Sequence, residues 1–139
     1  MKKFVSFLAA VLMCFSIGGI TLSAAVIPNG GIASPCYVYT DQLTTTLSIS
    51  NGKASCRTTI YGISGTTTKI VVTQYLEKKN GKSWDEVTHW TDTFNSWWCN
   101  DTNSYTITES GTYRLRSEAT VYSGSKSEDV DITSTEQIV

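Results

Sequence analysis

This sequence predicts an all-β fold, in which two antiparallel sheets pack face to face as a single β-sandwich of about seven short strands. Three observations support this prediction. From Tyr37 onward the chain is rich in Thr, Ser, Val, Ile and Tyr in short alternating runs, which is the pattern of half-buried strands. No segment of that part of the sequence shows the apolar stripe of a helix. Turn signals, above all two Asn-Gly pairs, separate the runs.

The first 25 residues are expected to be removed from the mature protein. Lys2 and Lys3 give a positive start, residues 4–20 form an apolar run, and small residues precede a cleavage position after Ala25. This three-part pattern is typical of a secretory signal peptide. A transmembrane anchor fits less well, because the run is short and ends in a processing-type sequence. We therefore interpret residues 1–25 as a signal peptide and expect a secreted, extracellular protein.

The remaining chain divides into a short leader and one domain. Residues 26–35 hold both prolines and two glycines without periodicity, and they are expected to form a flexible leader. Residues 36–139 are long enough to bury one core. Loss of the signal peptide removes two of the 11 basic residues, so nine remain against 12 acids and the net charge becomes −3. That charge argues against a nucleic-acid partner, and no later segment is apolar enough for membrane insertion.

The first hairpin is centred on Asn51-Gly52, a pair that suits a two-residue turn with positive φ at both positions. This turn pairs Ile49 with Ala54 and Leu47 with Cys56. Ile60 falls on the same face as these four residues, because side chains alternate along a strand. The sequence therefore predicts one inward row on the first two strands.

The second hairpin turns near Asn80-Gly81, and its register is less well determined. A two-residue turn at that pair places Val71 opposite Trp90 and Leu76 opposite Asp85. A slip of one residue instead gathers an apolar set on one face: Ile70, Val72, Leu76, Trp84 and Trp90. Because the slip gives the cleaner core, we favour a three-residue loop here.

A later stretch, "ITESGTYRLRSEATVYSG", has the spacing of a tyrosine corner around Gly111 and Tyr113. In immunoglobulin-like sandwiches the hydroxyl of such a tyrosine reaches back to the backbone just upstream. Leu115 then stands where an immunoglobulin domain has its second cysteine, and Cys56 lies on the strand that carries the first. The inter-sheet disulfide of that domain cannot form, so the prediction is an immunoglobulin-like architecture only. A last strand is expected near 127–136.

The stretches "NGKASC", "SGTTTKI", "LEKKNGKSW" and "SGTYRLRSEATVYSGSKSE" resemble a recurring type of small secreted protein from Gram-positive bacteria. The resemblance covers roughly residues 37–130. It implies an extracellular immunoglobulin-like β-sandwich and implies no catalytic residues, and the resembling family has no assigned function. The segment around Trp97 and Trp98 does not match the family pattern. Individual specialisation is expected there.

Catalytic chemistry finds little support in the sequence. His89 is the only histidine and lies within a predicted strand, where a half-exposed structural role is the simplest interpretation. Asp129 and Asp131 would share a face, but at a sheet edge, where carboxylates discourage aggregation. No calcium-loop spacing or nucleophile motif is present. We therefore expect no enzyme activity, no cofactor and no metal site.

Three cysteines remain after processing, and an exported protein tends to pair them. Cys56 lies on the predicted inward row and can behave as a small buried hydrophobe. Cys36 and Cys99 fall in segments expected to be irregular, where disulfide geometry is more forgiving. We predict a Cys36–Cys99 disulfide, and the next alternative is Cys56–Cys99.

The stretch "FNSWWCNDTNS" is the candidate ligand site. Neighbouring residues of a strand point to opposite faces, so one buried face cannot accept both Trp97 and Trp98. They are interpreted either as a ligand surface or as a structural cap over the open end of the sandwich and a disulfide. The working hypothesis is a secreted non-catalytic domain that binds an extracellular glycan or a protein surface. The alternatives are an antimicrobial or competition effector and a structural matrix protein that polymerises through edge strands.

Overall fold

The structure, a computed structural model, describes residues 36–139; the predicted signal peptide (1–25) and leader (26–35) lie outside the described residues. All regular structure in this range is β-strand, which confirms the all-β sandwich. A final two-residue strand brings the number of strands to eight. In chain order they are β1 (Thr40–Ser50), β2 (Lys53–Gly62), β3 (Lys69–Asn80), β4 (Ser83–Phe94), β5 (Trp98–Thr106), β6 (Thr112–Ser123), β7 (Lys126–Thr133) and β8 (Gln137–Ile138).

The strands form two antiparallel sheets. Sheet A has the order β1-β2-β5, and sheet B has the order β4-β3-β6-β7, with β8 added beside β6. The immunoglobulin-like signature is present at the predicted place. The Tyr113 hydroxyl donates a hydrogen bond to the backbone carbonyl of Glu109 at 2.8 Å. Cys56 of sheet A and Leu115 of sheet B are both fully buried in one cluster, as expected for the positions that carry the immunoglobulin disulfide.

The first hairpin has the predicted register. Ile49 pairs with Ala54 and Leu47 pairs with Cys56. The turn residues Asn51 and Gly52 have φ of 50° and 71°. This turn twists with its strands, and Asn and Gly tolerate positive φ at low cost.

The second hairpin differs from both registers considered for it. Asn80 pairs with Ser83, so the loop is the two-residue Gly81-Lys82 and the predicted three-residue loop is wrong. A bulge follows, in which Val87 is an extra residue on β4 opposite the Leu76/Glu77 step. An extra residue reverses the alternation of faces. Trp90 therefore packs on the inner side, as predicted, but Trp84 lies on the outer side against Arg114.

The inner residues form two apolar clusters rather than one continuous core. The cluster beside the tyrosine corner contains Leu47, Ala54, Cys56, Leu76, Ile107, Tyr113 and Leu115. The cluster at the other end contains Ile60, Ile70, Val72, Cys99, Ala119, Val121 and Val130. The inward row predicted on the first two strands is thus confirmed and is divided between the two clusters, and the inward residues of β6 are divided in the same way.

A buried polar layer lies between the two clusters. Gln74 Nε2 donates to Thr58 Oγ1 at 2.8 Å, and the hydroxyls of Thr58 and Ser117 lie 2.7 Å apart. Thr45 Oγ1 joins them at 3.0 Å from Ser117 Oγ. Asp101 of β5 is also buried in this layer. Since buried hydroxyl and amide groups are costly without partners, the mutual hydrogen bonds let these residues share the interior with apolar neighbours.

Candidate functional site

Three exposed aromatic rings gather at one end of sheet A, and we call Tyr61, Trp97 and Trp98 the aromatic patch. Their relative exposures are 37%, 39% and 45%. The rings of Tyr61 and Trp98 are nearly parallel, with an interplanar angle of 18° and centroids 6.3 Å apart. The Trp97 ring is tilted by 45° to Tyr61 at 6.2 Å. Large exposed apolar side chains grouped in this way are uncommon on a monomer surface without a role in binding.

Strand pairing explains why these rings meet. Trp98 is the first residue of β5 and stands directly opposite Tyr61 of β2. Trp97 lies in the bend before β5, so strand alternation does not send its ring to the opposite face. The backbone carbonyl of Trp97 accepts a hydrogen bond from the Gly62 N–H at 2.7 Å, which fixes the bend against β2. The expectation of an irregular segment around Cys99 is therefore wrong, because β5 already begins at Trp98.

The loop after β2 supports the patch from the other side. Thr67 Oγ1 donates to the carbonyl of Tyr39 at 2.6 Å and accepts from the N–H of Ile63 at 3.1 Å. Its side chain lies against Gly62, where a Cβ atom would come within 2.6 Å of Thr67 Cβ. Only glycine allows this close approach. The "SGTTTKI" stretch thus holds the end of β2 that carries Tyr61.

The structural-cap interpretation of the tryptophans finds no support in the packing. Neither Trp97 nor Trp98 belongs to the buried clusters or to the partly buried residues packed against them. The cluster at this end is covered instead by other side chains, namely Tyr37, Tyr39, Leu43 and Phe94. Both tryptophans are thus available at the surface.

The predicted Cys36–Cys99 disulfide is not formed, and Cys36, Cys56 and Cys99 are all free thiols. Cys99 lies within β5 rather than in an irregular segment, and it faces inward beside Ile60, its pairing partner on β2. The Cys56–Cys99 alternative fails as well. Cys56 lies four residues from Ile60 along β2, roughly 13 Å at strand spacing, and a disulfide needs Cα atoms within about 7 Å. Burial raises the pKa of Cys56 to about 12 and that of Cys99 to about 11, so both stay protonated at neutral pH.

The patch continues into a regular polar surface, which we call the open face. It consists of the outward side chains of sheet A in five rows across β1, β2 and β5. The rows are Gln42–Tyr61–Trp98, Thr44–Thr59–Asn100, Thr46–Arg57–Thr102, Ser48–Ser55–Ser104 and Ser50–Lys53–Thr106. None of these side chains is acidic. Hydroxyl and amide groups in such rows can donate and accept hydrogen bonds to a polar ligand.

The remaining chemistry-bearing residues do not converge on the patch. His89 is exposed on β4, with Nδ1 at 2.7 Å from Glu86 Oε1. Asp129 of the edge strand β7 accepts a hydrogen bond from Thr120 at 2.8 Å. Within residues 36–139, no group of three or more His, Cys, Asp or Glu side chains could hold a metal ion. No helix in this range is long and apolar enough to cross a membrane.

Sequence reasoning identified Trp97 and Trp98 but missed Tyr61 and Arg57. Both follow from the confirmed register of β2, since each alternates with a residue of the inward row. The position of these two residues beside β5 could not be predicted from the local sequence, because it depends on the pairing of two segments almost forty residues apart. The sequence matches no protein-family model and no curated protein, so the site is interpreted from its own geometry.

Proposed function

We propose that this protein is a secreted, non-catalytic domain that binds an extracellular glycan or cell-surface polymer through the aromatic patch. The observation that carries the proposal is the grouping of Tyr61, Trp97 and Trp98 at the surface, with two rings nearly parallel. Flat rings of this kind present large rigid contact areas with little loss of conformational entropy on binding. The faces of sugar rings are suitable partners, because their C–H groups can stack on the aromatic surface.

The neighbours of the patch support binding rather than catalysis. The side chains beside it on the open face are Gln42, Thr59 and Asn100, which offer amide and hydroxyl groups. Such groups orient a polyhydroxylated ligand by hydrogen bonds, and they do not form an acid–base pair. Concave pockets are not required for this mode, since a flat sheet surface can accommodate a polymer along its length.

The test is retention of the purified protein on insoluble polysaccharides and on cell-wall fractions. We expect retention of the natural protein and at least a tenfold loss in the Trp98→Ala variant, because central aromatic side chains dominate binding energies. Trp84→Ala is the matched control, because Trp84 lies on the outer side of sheet B against Arg114. It should bind like the natural protein.

Two outcomes would contradict the proposal. One is equal retention of the natural protein and of Trp98→Ala. The other is loss of retention in the Trp84→Ala variant as well, with all three proteins folded by circular dichroism. A protein that self-associates through the patch would show concentration-dependent sedimentation that Trp98→Ala abolishes, and it would fit the matrix-protein alternative instead.

A further inference from the structure

The open face carries positive charge that has no partner in the described chain. Arg57 lies at the centre of the face on β2, between Thr46 and Thr102, and its side chain is exposed. Lys53 lies two rows further along the same strand. No carboxylate of residues 36–139 forms an ion pair with either of them. The face is therefore locally cationic, although the predicted mature chain has a net charge of −3.

Arg57 differs in this respect from the other two arginines of the described chain. Arg114 and Arg116 both donate to the carboxylate of Glu77, at 2.6 and 2.9 Å. Within residues 36–139, the Arg57 guanidinium has no such acceptor. A planar guanidinium offers a fork of N–H donors whose geometry matches a carboxylate in a bidentate arrangement. An unpaired guanidinium in the middle of a hydrogen-bonding surface thus suits a ligand that brings its own carboxylate.

The positions of Arg57 and the aromatic patch limit the size of that ligand. Tyr61 and Arg57 are separated by four residues along β2, or roughly 13 Å at the rise of a strand. The row between them, Thr44–Thr59–Asn100, is neutral and hydrogen bonding. A single sugar cannot contact both ends of this distance. A linear chain of sugars lying along β2 can stack on the rings at one end and reach Arg57 at the other.

We propose that the open face binds a linear polysaccharide that carries carboxylate groups, such as a polyuronate, with a ring stacked on Tyr61 and Trp98 and a carboxylate held by Arg57. This inference rests on the proposed function and specifies its ligand class. Lys53 extends the cationic track by one further contact. Asp41, the nearest acid along β1, lies in the bulge beyond the aromatic row, so the patch end of the track should take a neutral part of the sugar.

The test is calorimetric titration of the purified protein with polygalacturonate, alginate and hyaluronate, and with polygalacturonate whose carboxyl groups have been reduced to alcohols. We expect the protein to bind at least one of the acidic polymers. If it binds polygalacturonate, we expect it to bind the reduced polymer at least tenfold more weakly. Arg57→Gln should weaken binding of the acidic polymer by about tenfold, which is the size of one charge-assisted contact. The affinity of the natural protein should fall with added salt, since exposed charges are screened.

Matched variants separate the charge of this face from the charge of the whole protein. Lys82→Gln removes one positive charge from the exposed turn between β3 and β4, and it should bind the acidic polymer like the natural protein. Trp98→Ala should weaken binding of the acidic polymer at least as much as Arg57→Gln does. Monosaccharides with a carboxylate should bind at least tenfold more weakly than the polymer, because they cannot span both ends of the track.

The failure of this inference can be told apart from failure of the proposed function. One set of results would overturn the carboxylate inference alone: the acidic and reduced polymers bind equally, Arg57→Gln has no effect, and Trp98→Ala abolishes binding. The proposed function of the aromatic patch would then stand. If Trp98→Ala has no effect on any bound polymer, both are wrong. Absence of binding to all three acidic polymers overturns the inference, and retention on cell-wall fractions that depends on Trp98 would still support the proposed function.

Discussion

The two outer faces of the sandwich carry the same kinds of side chain, aromatic rings and arginines, in different arrangements. On sheet B the Arg114 guanidinium lies 4.2 Å from the centre of the Trp84 ring, and that of Arg116 lies 4.3 Å from the Tyr75 ring. Both donate to Glu77, which is buried beneath them. We call this surface the paired face. On the open face of sheet A, Arg57 has no carboxylate partner within the described chain and the rings are exposed.

This difference separates two uses of the same residue types. On the paired face each charge and ring contributes to a network that needs nothing from outside, so the network contributes to the stability of the fold. On the open face the rings are exposed and the guanidinium has no carboxylate partner within the described chain, so a ligand could contact both. Aromatic and arginine side chains in a strand pattern therefore do not indicate binding by themselves. Their state of pairing distinguishes the two roles.

Glu77→Gln should have the largest effect, because it breaks the paired face at its centre. The substitution keeps the shape but removes the charge that holds Arg114 and Arg116. Loss of one partner of a buried ion pair costs 3–5 kcal/mol; the arginines here are partly exposed, so we expect the free energy of unfolding to fall by about 2 to 4 kcal/mol. Urea denaturation followed by fluorescence measures it. A loss below about 0.5 kcal/mol would show that the network does not stabilise the fold.

Asp101→Asn should have the next largest effect, and it changes sheet A from inside. Burial, and then the charge of Asp92, raise the pKa of Asp101 from 3.8 to about 6. One oxygen of this carboxyl, Oδ2, has no hydrogen-bond partner in the part of the chain that the structure describes. The folded state therefore favours the protonated acid. The contribution of Asp101 to stability is thus least unfavourable below pH 4, becomes more unfavourable as the pH rises from about 4 to about 6 and stays so above that.

The asparagine variant cannot ionise, so the decline between pH 4 and pH 6 should disappear. At pH 7 the free energy of unfolding should be about 2 to 3 kcal/mol higher than that of the natural protein, because no charge is then buried at this position. Denaturation curves at pH 4, 5, 6 and 7 measure it. Asp101 faces inward beneath the open face, so ligand binding should not change. A natural protein whose stability is constant from pH 4 to pH 7 would contradict the prediction.

Features of the fold that depend on neighbouring residues could be predicted from the sequence, and features that depend on distant strands could not. The first hairpin was predicted correctly because Asn51-Gly52 determines its own turn and the alternation of apolar residues fixes the faces. The tyrosine corner was also local, since Tyr113 bonds to a carbonyl four residues upstream. The second hairpin was predicted, but its register was wrong, in part because the bulge at Val87 depends on the partner strand. The polar layer was missed for a related reason, since Thr58 and Gln74 find their partners only when two sheets meet.

The candidate site also has a part that the local sequence predicts and a part that depends on distant strands. Its tryptophans were noticed because they break the strand pattern, but Tyr61 joins them only through the pairing of β2 with β5. The disulfide prediction failed at this point too. Cys99 was assigned to an irregular segment, whereas β5 already begins at Trp98 and turns the thiol into the interior.

Gly62→Ala should have a moderate effect, and it tests how the open face is held in shape. The added methyl group would lie within 2.6 Å of Thr67 Cβ, so the loop or the strand must shift. Overpacking of this kind costs about 1 to 2 kcal/mol. Because the Gly62 N–H bonds to the Trp97 carbonyl, the ring arrangement should change as well. Near-ultraviolet circular dichroism reports the rings and urea denaturation the stability. Unchanged values of both would show that Thr67 does not position the patch. Gly65→Ser is not a suitable control, because φ at Gly65 is +79° and serine would be strained there. Ser64→Ala in the same loop is the suitable control.

The smallest effect on stability should come from the open face itself, which makes Arg57→Gln the sharpest test of the comparison. Its guanidinium has no carboxylate partner in the described chain, so the free energy of unfolding should change by less than about 0.5 kcal/mol. Arg114→Gln is the matched change on the paired face, and the loss of its bond to Glu77 and its contact with Trp84 should cost about 1 to 2 kcal/mol. Urea denaturation of both variants gives the difference directly. If Arg57→Gln costs as much as Arg114→Gln, the charge on the open face is structural. The reason for expecting a carboxylate ligand there is then lost, because a guanidinium that the fold already uses is not free to pair with a ligand.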